Sequence, residues 1–285
     1  MWFERSLVMK RMSGGLLAGL LLPLLCGSCS SGNGTDSHQR IVLTGSSTIA
    51  PLAAEIGKRF EKLHPGVRID VQAGGSSRGI ADVRQGLSDI GMASRDLKPS
   101  EAGELHAFPV ARDGICMIVH RNNPLTSLRD EQVVAIYTGK VRNWKEVGGV
   151  DAPLTVVNKA EGRGTLDLFL HYFKLTSRQV RADVIIGDNE QGIKTVAGNP
   201  NAIGYVSIGT AEYDAAHGTS IKLLAAGDVV ANIENVRNGT FPLVRTLNLL
   251  TREKPGGLVK TFIEFAGSAR VDDLVKAQYF VPLAK

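Results

Sequence analysis

The chain has 285 residues, a length that allows one large domain or two modest domains with substantial apolar cores. Hydrophobic residues make up 43% of the chain and charged residues 21%, as in an ordinary soluble globular protein. The formal net charge of +5 is spread along the chain without basic runs or interleaved aromatic residues, so no nucleic-acid partner is expected. A weakly positive surface favours small anions but does not identify one.

The N-terminal segment has the order of an export signal. Lys10 and Arg11 precede an apolar stretch at 16–25 that is too short to span a bilayer comfortably. Small residues at 26–28 follow it, and positive, apolar and then small residues are typical of a secretory signal. We therefore predict that residues 1–28 are a signal peptide and that the mature chain is exported.

The residue after this predicted signal is Cys29, and a cysteine directly after small residues resembles a bacterial lipobox. The prediction is a lipoprotein carrying lipid, including palmitate, on Cys29, with a flexible tether over 29–39. Because signal cleavage and lipidation account for the other two cysteines, Cys116 has no disulfide partner and is predicted to be a small core residue. The alternative is an ordinary cleavable signal with an incidental cysteine, and the chain could start at Met1 or Met9.

Strand-like apolar runs alternate with helical patterns from residue 40 onward, which predicts an α/β fold with mostly parallel sheets flanked by helices. In chain order the predicted elements are a strand at 41–43, a helix at 49–63, a strand at 67–71, a helix at 80–87, strands at 90–92, 114–119 and 154–157, a helix at 166–173, strands at 202–206 and 243–250, and a helix at 258–265.

The order of these elements also predicts the domain organisation. Residues 119–222 carry strands and helices of their own, whereas residues 223–285 lack a polar loop-to-helix signature. We therefore expect a first lobe made of 40–118 and 223–285, and a second lobe made of 119–222. Two hinge crossings would join the lobes.

Three segments share one design: 45–48 (Gly-Ser-Ser-Thr), 74–77 (Gly-Gly-Ser-Ser) and 161–165 (Glu-Gly-Arg-Gly-Thr) each follow a predicted strand and open a helix. Glycine allows the backbone to approach a ligand, and serine or threonine caps the helix and offers a hydroxyl group. The unpaired amides at a helix start attract anions. One such segment indicates no more than a helix cap, but three in one alternating chain predict an anion site at the carboxyl ends of the strands.

Five segments taken together resemble a known family: 45–51 (Gly-Ser-Ser-Thr-Ile-Ala-Pro), 74–79 (Gly-Gly-Ser-Ser-Arg-Gly), 89–95 (Asp-Ile-Gly-Met-Ala-Ser-Arg), 161–165 and 202–206 (Ala-Ile-Gly-Tyr-Val). The chain resembles the phosphate-binding proteins of ABC-type phosphate importers over essentially its whole mature length. The segments 241–243 and 257–259 look like the return strand and last helices of that family. The resemblance implies a two-lobed type II periplasmic-binding-protein fold that closes over one phosphate.

The resemblance also implies which residues bind phosphate. It gives Thr48 a hydroxyl role and Ile49 an amide role, and it assigns a further hydroxyl to Ser76. Arg95 could contact the ligand or pair with carboxylates, and Arg163 could instead be a solvated cation. The candidate ligand-binding residues are Ser47, Thr48, Ile49, Ser76, Ser77, Ser94, Arg95, Lys159, Arg163, Gly164 and Thr165.

Three of these positions differ from the best-known family members. Ser94 stands where they carry an acidic residue that accepts the proton of phosphate, Lys159 replaces an arginine, and Arg163 replaces a serine. Without that acceptor, selectivity for phosphate over sulfate is open, although Asp96 or Glu161 could take its place. A guanidinium at Arg163 could offset the lost hydroxyl through bidentate bonds.

The expected function is high-affinity binding of inorganic phosphate outside the cytoplasmic membrane and its delivery to an ABC-type permease. We expect a monomer without enzymatic activity, cofactor or metal. One alternative is a secreted serine hydrolase, because residues 75–79 match Gly-x-Ser-x-Gly with Ser77 as the nucleophile. The other is a carrier of a different oxyanion, such as sulfate. The histidines available to a hydrolase, none in a distinctive context, are His106, His120, His171 and His217.

Overall fold

The computed structural model describes residues 39–283, so the predicted signal peptide, Cys29 and most of the predicted tether lie outside the described residues. Its first strand begins at Gln39, the last residue of that tether. The strands are β1 (Gln39–Gly45), β2 (Val67–Ala73), β3 (Ile90–Ala93), β4 (His106–His120), β5 (Ser127–Leu128), β6 (Thr155–Lys159), β7 (Val184–Ile186), β8 (Ala202–Ser207), β9 (Ile221–Leu223), β10 (Ala225–Ala226), β11 (Val244–Thr251) and β12 (Val281–Pro282).

Helices connect most of these strands, as the alternating pattern predicts. Those of the described range are α1 (Ala50–Leu63), α2 (Ser76–Gln85), α3 (Pro99–Ala102), α4 (Asp130–Tyr137), α5 (Gly164–Tyr172), α6 (Asn189–Ala197), α7 (Ile208–Ala216), α8 (Ile233–Arg237), α9 (Gly257–Ala266) and α10 (Asp272–Ala277). Within residues 39–283, none of them combines the length and the apolar character needed to cross a bilayer.

A mixed sheet with the strand order β2-β1-β3-β11-β4-β8-β6-β7 runs through the structure. The pairs β1–β2, β1–β3, β6–β7 and β6–β8 are parallel, as strand–helix–strand connections favour. In the middle, β11 is antiparallel to both of its neighbours, and the 15-residue strand β4 is antiparallel to β11 and β8. The strand predicted at 114–119 is thus the second half of β4. The first half of β4 pairs with β11, and the second half pairs with β8.

Two main apolar cores lie on this sheet. The first core packs α1, α9 and α10 against β1, β3 and β11, and its centre includes Phe60 and Phe262, whose rings meet edge to face. The second core packs α4, α5 and α6 against β4, β6 and β8, around Trp144, Phe169 and Tyr205. These cores give the two-lobed α/β fold expected from the sequence. The residue boundaries of the lobes stay a prediction.

Spacing along the chain explains which helix face each core receives. In α1, Leu52, Ile56 and Phe60 recur every four residues and are almost completely buried, together with Ala53 and Gly57 beside them, while the other residues of the helix stay partly or fully exposed. The helix ends at Leu63, and the amide of the next residue, His64, donates to the Phe60 carbonyl. Because α1 follows β1 directly, its start lies at the carboxyl end of that strand.

Candidate oxyanion-binding site

The first two glycine-containing segments meet backbone to backbone. Gly45 has a φ of +130°, and a β-carbon there would lie 2.4 Å from the Met92 carbonyl oxygen and 2.9 Å from the Gly79 α-carbon. The Gly45 carbonyl accepts hydrogen bonds from the amides of Gly74 and Gly75, at 2.7 and 2.8 Å. Only glycine allows this approach, and it brings the starts of α1 and α2 to the same edge of the sheet.

The third segment, which packs with the second core, reaches the same point. The Ser77 amide donates to the Gly162 carbonyl at 3.0 Å. A β-carbon on Gly164 would lie 2.6 Å from Ser76 Oγ and 2.8 Å from Ser94 Oγ, so the start of α5 approaches these hydroxyls without a side chain between them. The three helix starts predicted to converge do converge in the structure.

A small, partly open hollow lies where the three helix starts converge, with a cavity volume of about 10 Å³. Pockets for drug-sized ligands usually measure about 300–1,000 Å³, so this hollow admits only a very small ligand. The lining residues are Ser46, Ser47, Thr48, Gly75, Ser76, Ser94, Lys159, Arg163, Gly164, Thr165, Gly187, Asp188 and Asn189. They include every candidate from the sequence except Ile49, Ser77 and Arg95.

A buried arginine that the sequence analysis missed connects three of the lining hydroxyls. Nη1 of Arg245, on β11, donates to Thr165 Oγ1 at 2.7 Å and to Ser94 Oγ at 3.3 Å, and Nη2 donates to Thr48 Oγ1 at 3.4 Å. Its guanidinium is held by Asp113 Oδ2 through bonds of 2.7 and 3.0 Å. A hydroxyl that accepts such a bond keeps its own proton free to donate, so the arginine prepares three O–H donors for a ligand.

The other half of this ion pair is completely buried. Asp113, on β4, also accepts a 2.8 Å hydrogen bond from Ser207 Oγ at the end of β8. Burial raises the pKa of the Asp113 carboxyl, and the bonds from Arg245 and Ser207 act against that rise. Asp113 uses both oxygens in this way and does not line the hollow.

Lys159, the last residue of β6, brings a second cation to the hollow. Its Nζ donates to the Asp188 carbonyl oxygen at 2.6 Å and to Asn189 Oδ1 at 3.1 Å. Burial, followed by repulsion from Arg245 and Arg163 and opposed by Asp188, lowers the pKa of Lys159 from 10.5 to about 7. An anion in the hollow would relieve this repulsion.

Arg163 supplies a third cation. It is the residue before α5 and is half-buried, so it lies at the rim of the hollow. A β-carbon on Gly75 would lie 3.1 Å from its Cδ, and one on Gly187 would lie 3.4 Å from its Nη2. These three cationic side chains are opposed by two carboxylates, Asp188 and Asp113, and Asp113 is already paired with Arg245. The site therefore carries a positive charge that suits a small polyanion.

Three candidate residues lie outside the hollow. The Ile49 side chain is 1% exposed in the first core, and its amide is bonded to the Ser46 carbonyl. The Ser77 side chain is exposed to solvent. Arg95 is buried in ion pairs with two carboxylates, which is the second of the roles considered from the sequence. Across residues 39–283 no group of three or more His, Cys, Asp or Glu side chains is placed to hold a metal ion.

Known proteins resemble this chain in both sequence and fold. A family model described as a PBP superfamily domain matches residues 31–270. A protein from Clostridium perfringens, crystallised with bound phosphate and described as a candidate phosphate ABC transporter substrate-binding protein, is 33% identical with a TM-score of 0.80, over 86% of this chain and 100% of its own. An ABC-type phosphate transport receptor from Vibrio cholerae is 30% identical with a TM-score of 0.73, over 85% of this chain and 100% of its own.

A curated relative extends this likeness. The phosphate-binding protein PstS of Bacillus subtilis is 26% identical over 282 residues, which cover 94% of this chain and 92% of the relative. The resemblance noted in the sequence is confirmed: this chain belongs to the PBP superfamily, in the family of substrate-binding proteins of phosphate ABC transporters.

Proposed function

We propose that the chain binds inorganic phosphate in the hollow and delivers it to an ABC-type permease. The arrangement of hydroxyl groups carries this proposal. Thr48, Ser94 and Thr165 each accept a bond from Arg245, and Ser76 Oγ accepts one from the Ser94 amide at 3.1 Å. Thr48 and Thr165 each keep one O–H to donate, and Ser76 and Ser94, whose Oγ atoms share a 3.4 Å hydrogen bond, keep one more between them. A ligand rich in acceptor oxygens is therefore favoured.

The size of these contributions is consistent with tight binding. A hydrogen bond to a charged group contributes roughly 1.5–3 kcal/mol. Several such bonds, after the costs of desolvation and lobe closure, can give about −8 kcal/mol, which corresponds to micromolar affinity. Closure of the lobes over the ligand would shift the population toward the form that a permease recognises.

The structure brings a different carboxylate to the hollow from those considered in the sequence. Asp96 and Glu161 are exposed and do not line the hollow, and Ser94 carries no charge. Among the lining residues that the structure describes, Asp188 carries the one carboxylate, and its Oδ1 caps α6 by accepting from the Gln191 amide at 2.8 Å. We expect phosphate to bind more tightly than sulfate but by a smaller margin than a dedicated proton acceptor would give.

Competition calorimetry tests the ligand. The form starting at Ser30 would be titrated with phosphate, then with sulfate, molybdate and arsenate as competitors. We expect phosphate to displace the others, and tighter binding of sulfate or molybdate would contradict the proposal.

Three hydroxyl variants test the site. Thr48→Ala, Ser76→Ala and Thr165→Ala each remove one donor and should weaken phosphate binding about tenfold or more, because each bond contributes roughly 1.5–3 kcal/mol. Asp228→Ala, in a surface turn, serves as the control and should bind as the wild type does. Unchanged affinity in all three hydroxyl variants would exclude this pocket.

We also propose that the protein acts outside the cytoplasmic membrane as a monomer held by lipid on Cys29. The order of charged, apolar and small residues before Cys29 supports this proposal. Labelled palmitate should be incorporated into the exported protein, and Cys29→Ser should abolish the label and release the protein from membranes. A Cys29→Ser protein that keeps its label and its membrane association would contradict the anchor.

The proposed activity is binding without turnover. Ser77 lies in the first turn of α2 with an exposed side chain, and across residues 39–283 its hydroxyl forms no hydrogen bond with a histidine. A serine hydrolase needs such a base beside its nucleophile. Ester or phosphoester hydrolysis that disappears in Ser77→Ala would restore the hydrolase alternative.

A further inference from the structure

Arg95 forms a buried ion-pair bridge at the edge of the site. Its side chain is 6% exposed, and its Nη1 and Nη2 donate to the two carboxylate oxygens of Glu101 at 2.7 and 2.9 Å. Its Nε donates to Asp167 Oδ2 at 2.8 Å, and Lys98 Nζ lies 3.7 Å from the other oxygen of Asp167. The guanidinium therefore joins two carboxylates that are far apart in the chain.

The two ends of the bridge are attached to different cores. Arg95 follows β3, and its carbonyl accepts a 3.3 Å bond from Asn248 Nδ2 on β11, so this end moves with the first core. Asp167 lies in the first turn of α5, between Leu166 and Phe169, which are both buried in the second core. The bridge thus crosses between the lobes.

The bridge also lies next to the ligand contacts on both sides. Arg95 directly follows Ser94, and Asp167 is two residues after Thr165, and both of these neighbours line the hollow. The bridge itself opens onto a separate cleft that shares no lining residue with the hollow. It can therefore set the position of the α5 start without touching the ligand.

We propose that the bridge between Arg95 and Asp167 is a positioning pair that holds the start of α5 against the first lobe and so sets the affinity for the oxyanion. Glu101 fixes the guanidinium through two bonds on its own lobe, so that only the bond to Asp167 forms and breaks as the lobes close and open. The pair stabilises the closed arrangement, and ligand binding needs that arrangement.

The direction in which one substitution changes the phosphate affinity distinguishes this positioning role from a purely electrostatic one. Asp167 is an anion close to a site for anions, so loss of its charge should strengthen phosphate binding if it acts only through its field. If it holds the lobes together, the same loss should weaken phosphate binding. Asp167→Asn keeps the shape of the side chain and removes the charge-assisted bond.

Calorimetry on the full chain tests the pair. We expect Asp167→Asn to weaken phosphate binding about tenfold, as the loss of a hydrogen bond to a charged group gives. Asp167→Glu should restore most of the affinity. Asp151→Asn is the matched control, because Asp151 pairs with the nearby Lys145 inside one exposed loop of the second lobe.

A second measurement keeps a folding defect apart from a positioning defect. Without phosphate, small-angle scattering should show a larger radius of gyration for Asp167→Asn than for the wild type, with the same thermal midpoint. At saturating phosphate the two radii should agree. Unchanged or tighter phosphate binding in Asp167→Asn would overturn the proposal, as would a weakening matched by Asp151→Asn.

This inference rests on the proposed function, but different results would refute the inference and the function. A wild-type protein that does not bind phosphate would refute the function. A wild-type protein that binds phosphate, beside an Asp167→Asn variant that binds it equally well, would refute the positioning pair alone.

Discussion

Phosphate affinity should fall as the pH rises above 7, because Lys159 loses its proton there. Burial and the neighbouring guanidinium groups lower the pKa of this side chain from 10.5 to about 7. A bound dianion favours the charged ammonium form, so binding takes up a proton wherever the free protein has lost it. Below about pH 6 the lysine is already charged and adds no pH dependence.

The pKa fixes the size of this effect. With a pKa of about 7, roughly half of the Lys159 side chains are charged at pH 7 and roughly one tenth at pH 8. If only the charged form binds, the affinity falls about fivefold over this interval and about tenfold over the next pH unit. Proton uptake on binding should be about half a proton at pH 7.

The matched variant is Lys159→Arg, because an arginine stays charged at every pH of the experiment. Calorimetric titrations between pH 6 and 9 would give the ratio of wild-type to variant dissociation constants, in which the titration of phosphate itself cancels. Buffers of different ionisation enthalpy would measure the proton uptake. A ratio that stays constant from pH 6 to 9 would refute the assigned role of the lysine.

Two further substitutions test the packing around the hollow. Gly164→Ala should weaken phosphate binding at least tenfold, because the new β-carbon would lie under 3.0 Å from two serine hydroxyls. Gly103→Ala is the control and should bind normally, because its β-carbon would have nothing within 4 Å. Equal calorimetric affinities for the two variants would contradict the close approach. Asp113→Asn should lower the free energy of unfolding by about 3–5 kcal/mol, because it leaves Arg245 charged and unpaired in the interior; urea denaturation with a midpoint equal to the wild type would exclude a structural ion pair.

The sequence was most informative where local chemistry decides the structure. Each of the segments at 45–48, 74–77 and 161–165 signals its helix start through glycine and hydroxyl residues, and these starts do converge. The alternating apolar pattern also identified the α/β class. Strand ends were less certain, and β4 begins eight residues before the strand predicted at 114–119, because a strand that crosses two cores has no single apolar pattern.

Arg245 was not predicted because its partners are distant in the chain. It bonds to Thr48 and Asp113, which precede it by 197 and 132 residues. One signal was present: over the first four residues of β11 the buried positions alternate, and Arg245 occupies one of them, two residues before Leu247. A charged residue at the inward phase of a strand indicates a buried ion pair, but the sequence does not say which carboxylate completes it.

The assignment of Arg95 shows a second limit. Its place beside Ser94 in a family motif made ligand contact as reasonable as pairing with carboxylates. The choice depends on Glu101 and Asp167, and one of these comes from the other lobe. Motif spacing describes what a residue is next to in the chain, whereas the partner that neutralises a buried guanidinium is set by packing.

The place of β11 in the sheet sets the order in which synthesis can complete the fold. This strand, Val244–Thr251, lies between β3 and β4, which are made more than a hundred residues earlier. Until it emerges, the two earlier strands keep open hydrogen-bonding edges toward each other, and such long-range pairing is slow to form. A growing chain therefore cannot complete its central sheet until β11 has been made.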